Sequence, residues 1–222
     1  MCRFILAKSN TEALLDSQKI LNSFAEMSKK SKAFDGDWQG DGWGVSWIEE
    51  HKWKSHTSLS PIWEDSRYFS SIPDSQRLII HARSASFPHH KNIQKYNQPF
   101  IFDKYVFVFN GLLKGVTLPY SVDGEIGSQK IWSLLQKELD KSNPKKALQD
   151  LFVFLQKYVK TIQACNIGIA NFESIYALTS YTVFPEYYNL HLFNDNTISI
   201  ICSEQLPEWK MEMMKRDVVC SY

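Results

Sequence analysis

The hydrophobic pattern divides the chain into strand-like runs near both ends and a helical stretch between them. The opening run CRFILA (2–7) is short and β-prone. TEALLDSQKILNSFAEMSKK (11–30) follows as a helix, with Leu14, Leu21 and Phe24 at helical spacing and Thr11 as its expected N-cap. Polar DGDWQGDG (35–42) predicts a loop, after which WGVSWIEE (43–50) and HKWKSHT (51–57) read as two strands. RLIIHARSAS (77–86) and YVFVFNG (105–111) add two more, each ending in polar residues and a turn.

Between Ser128 and Lys160 the period becomes helical. Ile131, Leu134, Leu135 and Leu139 mark one amphipathic helix; Leu148, Leu151, Leu155, Tyr158 and Ile162 mark a second, with KSNPKK (141–146) as the break. CNIGIANF, SIYALTSY, NLHLFN and TISIICS then return to strands. There is no internal repeat or long linker. The expected architecture is an α+β domain with one large core, two helices inserted mid-chain and two groups of antiparallel strands.

Composition agrees with that picture. A chain of 222 residues, 44% apolar and 14% aromatic, is long enough to bury a sizeable core and reads as a single domain over residues 1–222. Its 25 basic and 24 acidic residues are spread evenly, which gives no footprint for nucleic acid or an anionic membrane. Lys29, Lys30 and Lys32 are expected on a solvated face. No apolar run approaches the roughly 20 residues that span a bilayer, so a soluble cytoplasmic protein is expected. The four cysteines lack a CxxC pair, suggesting neither a disulfide scaffold nor a zinc cage. Cys165 and Cys202 fall in apolar strands and are expected as packing residues. His89 and His90 are adjacent in a polar loop, which is a poor basis for a metal site.

Cys2 stands apart because of its position. Removal of Met1 would place its thiol and a free α-amine on one residue. Read together with MCRF are GDGWGVSW (40–47), HARSAS (81–86), FNGLL (109–113) and GEIGSQKIW (124–132). In this order they resemble the glutaminase domain of the class II glutamine amidotransferases, which are N-terminal nucleophile hydrolases. The likeness is greatest to the stand-alone branch of small amidotransferases, and ICSEQLPEWKMEM (201–213) resembles that branch's closing strand. The resemblance implies a four-layer αββα sandwich with Cys2 at the end of a central strand.

The resemblance also implies roles. Cys2 would attack a glutamine side-chain amide, release ammonia and form a thioester, with its own α-amine as base. The amine's reference pKa, about 7.7–8.0, lies close to a thiol's roughly 8.5. Asn110 and Gly111 would supply the oxyanion donors, from the turn after YVFVF; a hairpin turn is the plainer use of NG. Arg83 would grip the substrate α-carboxylate with its guanidinium fork, against a surface ion pair as the plainer reading. Gly42, Trp43 and Gly44 would line the pocket floor, against a hairpin loop with an aromatic anchor as the plainer reading. His81 is a core residue or, in a rival reading as a cysteine peptidase, the partner of Cys2. Ser128 and Gly127 begin the mid-chain helix at the substrate-binding position.

Gly127 is also a departure. The family's aspartate for the substrate α-ammonium falls there, so that carboxylate is missing; Glu125 or Asp123 are its possible replacements. The ligand is then glutamine bound differently, or an amide whose amine is acylated or missing. Phe109, in place of the histidine of HNG, and Gln98, in place of another histidine, are two further departures. A degenerate, non-catalytic binding protein is the remaining alternative. No cofactor or metal is required by the chemistry. A chain this size is used up by a glutaminase domain, so a separate ammonia-using or hydrolase subunit is a possible partner beside the glutamine-like substrate.

Overall fold

The computed structural model describes residues 1–31 and 38–222; Lys32 and positions 35–37 of the predicted loop lie outside them. Twelve strands and four helices are present among the described residues. In sequence order they are β1 (Arg3–Ser9), α1 (Ser17–Lys30), β2 (Trp43–Glu49), β3 (Lys52–Ser58), β4 (Arg77–Ala82), β5 (Phe100–Phe102), β6 (Tyr105–Val116), α2 (Gly127–Leu139), α3 (Pro144–Tyr158), β7 (Val159–Ala170), β8 (Ile175–Tyr181), α4 (Pro185–Tyr188), β9 (His191–Asn194), β10 (Ile198–Cys202), β11 (Glu212–Met213) and β12 (Val219–Ser221).

The strands form two antiparallel sheets. The first has seven strands in the order β11-β9-β10-β1-β4-β2-β3, and the second has five, β12-β8-β7-β6-β5. Three apolar layers hold the parts together. Ile20, Leu21 and Phe24 of α1 pack on Ile5, Val45 and Ile80 of the first sheet. Between the sheets, Phe4, Leu6, Ile79 and Ile201 meet Val106, Val108 and Ala177. On the far face, Ile131, Leu135, Leu148 and Leu151 of α2 and α3 cover Phe107, Ile167 and Leu178. The result is the four-layer αββα sandwich of the N-terminal nucleophile hydrolase type.

Several boundaries differ from the sequence expectation. The first helix begins at Ser17, not near Thr11: Asp16 is the N-cap, its carboxylate accepting from Lys19 N at 2.8 Å, and Leu15 is tied to Ser75 by a β-bridge. Leu14 is consequently exposed. Asparagine and proline open α3 as the KSNPKK break suggests, Asn143 capping Lys146 N at 3.0 Å. That helix ends at Tyr158, so Ile162 belongs to β7 and not to the helical face. Asn110-Gly111 is not a turn either. The strand runs on to Val116, because Asn110 and Gly111 pair with Asn166 and Cys165 of β7.

His81, near the end of β4, is paired with Phe4 on one side and Gly44 on the other and is fully buried. Burial, helped by the nearby Arg83 charge, drives its pKa down to about 3, with the Phe109 backbone acting in the opposite direction. It is a neutral core imidazole. Cys165 and Cys202 are buried as expected, and burial pushes both thiols up to about 12. No helix among the described residues is long and apolar enough to cross a membrane.

Gly168 of β7 is tightly packed: an added Cβ would lie 2.7 Å from Val108 Cγ2 of the neighbouring strand and 2.8 Å from Leu6 Cδ1 of the other sheet. Gly168→Ala should therefore destabilise the fold by about 1–3 kcal/mol, read as a lower urea midpoint. A second expectation concerns acid. The unfolded protein binds the His81 proton near pH 6.5 and the folded protein only near 3. The residue's contribution is complete above about 6.5 and is lost as pH falls toward 3, by up to about 1.4 kcal/mol per pH unit. His81→Leu should flatten that limb of a stability-pH profile; an unchanged slope would show that other groups carry it.

Candidate active site

Cys2 lies immediately before β1. Antiparallel pairing of β1 with β4 ends at Arg3 and Ala82, which sets Cys2 against the residues that follow β4. Its Sγ accepts from the Ser84 N–H at 3.4 Å and approaches the Ser84 carbonyl at 3.5 Å. Cys2 is partly buried and lines a cavity, so it is both held and reachable.

The start of β1 is fixed by an ion pair between buried Arg3 and partly exposed Glu204 that sequence inspection did not single out. Fully buried Arg3 reaches Glu204 through Nε at 2.8 Å and Nη2 at 2.7 Å, and its Nη1 donates to the Cys2 carbonyl at 3.2 Å. The Tyr187 ring lies 4.2 Å from the guanidinium. A charge taken out of water needs such partners, and the arrangement locks the backbone of the neighbouring cysteine. The only sequence signal was a polar residue pair, Arg3 and Glu204, inside otherwise strand-like segments. On the other side, buried Gln39 donates from Nε2 to the Met1 carbonyl at 2.8 Å, while its Oε1 has no partner among the described residues.

Arg83 follows β4 and is 4% exposed. Its guanidinium donates to Asn97 Oδ1 at 3.3 Å and to the His90 carbonyl at 2.5 Å, and lies 5.6 Å from the Tyr96 ring centre. These partners are neutral, unlike the surface ion pair of the plainer reading. Burial lowers its pKa, and the nearby Cys2, Asp41 and Tyr96 oppose that shift. Arg83 thus presents a cation to the site with donors to spare.

Asn110 is 1% exposed, and neither Oδ1 nor Nδ2 has a hydrogen-bond partner among the described residues. A buried carboxamide left this way costs about 1–3 kcal/mol, which a ligand with matching groups would recover. The backbone around it is clamped. Gln98 Nε2 donates to the Phe109 carbonyl at 3.2 Å, and Gln98 Oε1 accepts from Phe109 N at 2.5 Å. At Gly111 an added Cβ would meet Phe109 Cζ at 2.5 Å and the Ala164 carbonyl at 2.6 Å. The glycine is therefore required by packing within a strand, and not by a turn.

Cys2, Arg83, Asn110, Gly111, Gly127 and Ser128 all open onto one cavity of about 650 Å³. Trp43, Gly44 and His81 do not line it. Trp43 faces the α1 side of the first sheet, its Nε1 donating to Asp65 Oδ2 at 3.0 Å and its ring edge-on to Phe69. Gly44 makes room for the Gln98 carbonyl, which an added Cβ would strike, and so acts on the site through Gln98. His81 is buried and is not among the hydrogen-bond partners of Cys2. With a pKa near 3 it is too weak a base to serve a thiol at neutral pH. Glu125, a candidate for the missing carboxylate, is held by Lys95 at 2.5 Å and Tyr96 at 2.6 Å and does not line the cavity either. No cluster of metal-ligating side chains occurs among the described residues.

No protein-family model matches the sequence, and no curated protein sequence matches it. Solved structures do. A glutamine aminotransferase class-II domain protein from Silicibacter pomeroyi superposes with a TM-score of 0.65 at 12% identity, covering 99% of this chain and 94% of its own. A predicted glutamine amidotransferase from Pseudomonas aeruginosa does so at 0.53 and 13%, covering 99% and 92%. The glutamine phosphoribosylpyrophosphate amidotransferase of B. subtilis gives 0.63 and 13% over 91% of this chain, which spans 42% of that longer protein. The fold of the protein is that of the class II glutamine amidotransferases.

Proposed function

We propose that residues 1–222 form one glutaminase-like domain, an N-terminal-cysteine amidohydrolase that cleaves the side-chain amide of glutamine or a related γ-glutamyl compound. One observation carries this reading: the Cys2 thiol, the Arg83 cation and the buried, unpartnered carboxamide of Asn110 face a single cavity. The names of the structural neighbours, glutamine amidotransferases, agree with it.

The chemistry follows from the donors present. Removal of Met1 exposes the Cys2 α-amine and frees Gln39 Nε2 from the Met1 carbonyl that it now binds. The amine takes the thiol proton, the thiolate adds to the amide carbon, and the oxyanion is met by Asn110 Nδ2 and the Gly111 N–H. The protonated amine returns its proton to the departing nitrogen, and ammonia leaves as the C–N bond breaks. Water then hydrolyses the thioester to a carboxylate and the free thiol. Arg83 holds the substrate carboxylate. Ammonia is either released or passed to a separate subunit.

Intact-mass analysis of the purified native protein should show loss of Met1, and a diazo-ketone glutamine analogue should add once per molecule, at Cys2. Active protein that retains Met1 would overturn the mechanism; Cys2→Ala that retains its biological activity would favour a binding role. Among variants, Asn110→Ala should lower kcat on the order of a hundredfold with KM little changed. Arg83→Lys should instead raise KM on the order of tenfold, since a point charge cannot replace the fork. Equal effects on both parameters in both variants would contradict these roles.

A further inference from the structure

The cavity is larger than an amino acid requires. Its volume of about 650 Å³ falls in the range of roughly 300–1,000 Å³ found for sites enclosing drug-sized ligands. The additional wall is apolar: Leu113 and Val116 from β6, Leu118 and Val122 from the following segment, and Ile131 and Leu134 from α2. Gly127, Ile131 and Leu134 fall at i, i+4 and i+7, so they share one face of α2. That face leads from the helix start along about 10 Å of its length.

At the helix start the charges are wrong for an ammonium group. The described lining residues include no carboxylate, while Arg83 and Lys130 are cations. The N-terminus of α2 adds its own partial positive charge. Glu125 is already engaged with Lys95 and Tyr96. A free α-ammonium enclosed here would lose water and gain no anion, which is strongly unfavourable. Gly127, by contrast, has nothing within 4 Å of an added Cβ, so a substituent can pass it, and the first N–H groups of a helix suit a carbonyl oxygen.

Resting on the amidohydrolase reading above, we propose that the substrate is an N-acylated glutamine, its α-nitrogen carrying an apolar acyl group that occupies the apolar limb of the cavity. Arg83 takes the α-carboxylate, Gly127 lets the acyl amide past, and Cys2 cleaves the side-chain amide. Water enters once, the C–N bond of that side-chain amide breaks, and the products are the N-acyl glutamate and ammonia. Each methylene that leaves water contributes about fourfold to the preference.

The experiment compares ammonia release from N-octanoyl-L-glutamine and L-glutamine by the processed full-length protein, with labelling of Cys2 by the diazo-ketone analogue in free and N-octanoyl forms. Expected is at least a tenfold higher kcat/KM for the acylated amide and correspondingly faster labelling by the acylated analogue. Gly127→Asp, tolerated because the position is open and acidic residues suit a first helical turn, should reverse the ratio by tenfold or more. Glutamine turned over as well as, or better than, its acylated form would overturn the substrate assignment while leaving the amidohydrolase intact, as would a Gly127→Asp variant with an unchanged ratio. Labelled Cys2 without ammonia from either amide would overturn the assignment alone; neither label nor ammonia would overturn both readings.

Discussion

The packed apolar layer between the two sheets is the constraint on which the site depends. β1 and β4 occupy the middle of the first sheet, β6 and β7 the middle of the second. At Gly168 the second sheet leaves no room for a side chain against Leu6 and Phe4 of the first. A packed apolar layer resists compression and expansion alike. The start of β1 and the middle of β6 are therefore held at a fixed separation, and both border the cavity. Arg3 and Glu204 fix the first of these positions, and Gln98 fixes the second by bonding both sides of the Phe109 backbone. Cys2 and the unpartnered carboxamide of Asn110 are thereby attached to that frame.

The same burial sets the electrostatics. Burial keeps His81 neutral, so this imidazole does not compete with Arg83 as a cation. Arg83 in turn spends its bonds on the neutral oxygens of Asn97 and His90. Its charge stays available to an incoming anion. Together with the start of α2, this makes the polar end of the cavity a place for carboxylates and carbonyl oxygens.

Much of this was legible in the sequence because strands and helices differ in hydrophobic period, and the runs from CRFILA to TISIICS mark the sheets they form. What misled were local signals outweighed by tertiary pairing. Thr11 has the chemistry of a cap, but Leu15 is recruited to Ser75, and the helix waits for Asp16. Asn110-Gly111 has the composition of a turn, but β7 offers a full ladder and the strand runs through. Ile162 keeps the helical spacing of α3 after the backbone has turned into β7. Cys2, Arg83, Asn110, Gly111, Gly127 and Ser128 all line the cavity. Trp43, Gly44 and His81 do not line it: Trp43 faces α1, Gly44 makes room for the Gln98 carbonyl, and His81 is buried. The Arg3–Glu204 pair and the apolar limb join residues far apart in sequence, and no local pattern announces them.

Two glycines at this cavity separate what the fold requires from what the ligand requires. Gly111 is fixed by collision: any side chain there would strike Phe109 and the Ala164 carbonyl. Gly127 meets nothing, and no positive φ calls for a glycine there. The fold therefore has no use for a glycine at that point, and an aspartate would add favourable charge to the helix start. What an aspartate would remove is the open space and the absence of negative charge at the mouth of an apolar limb. Both are features that an uncharged, bulky substituent on the substrate nitrogen would exploit.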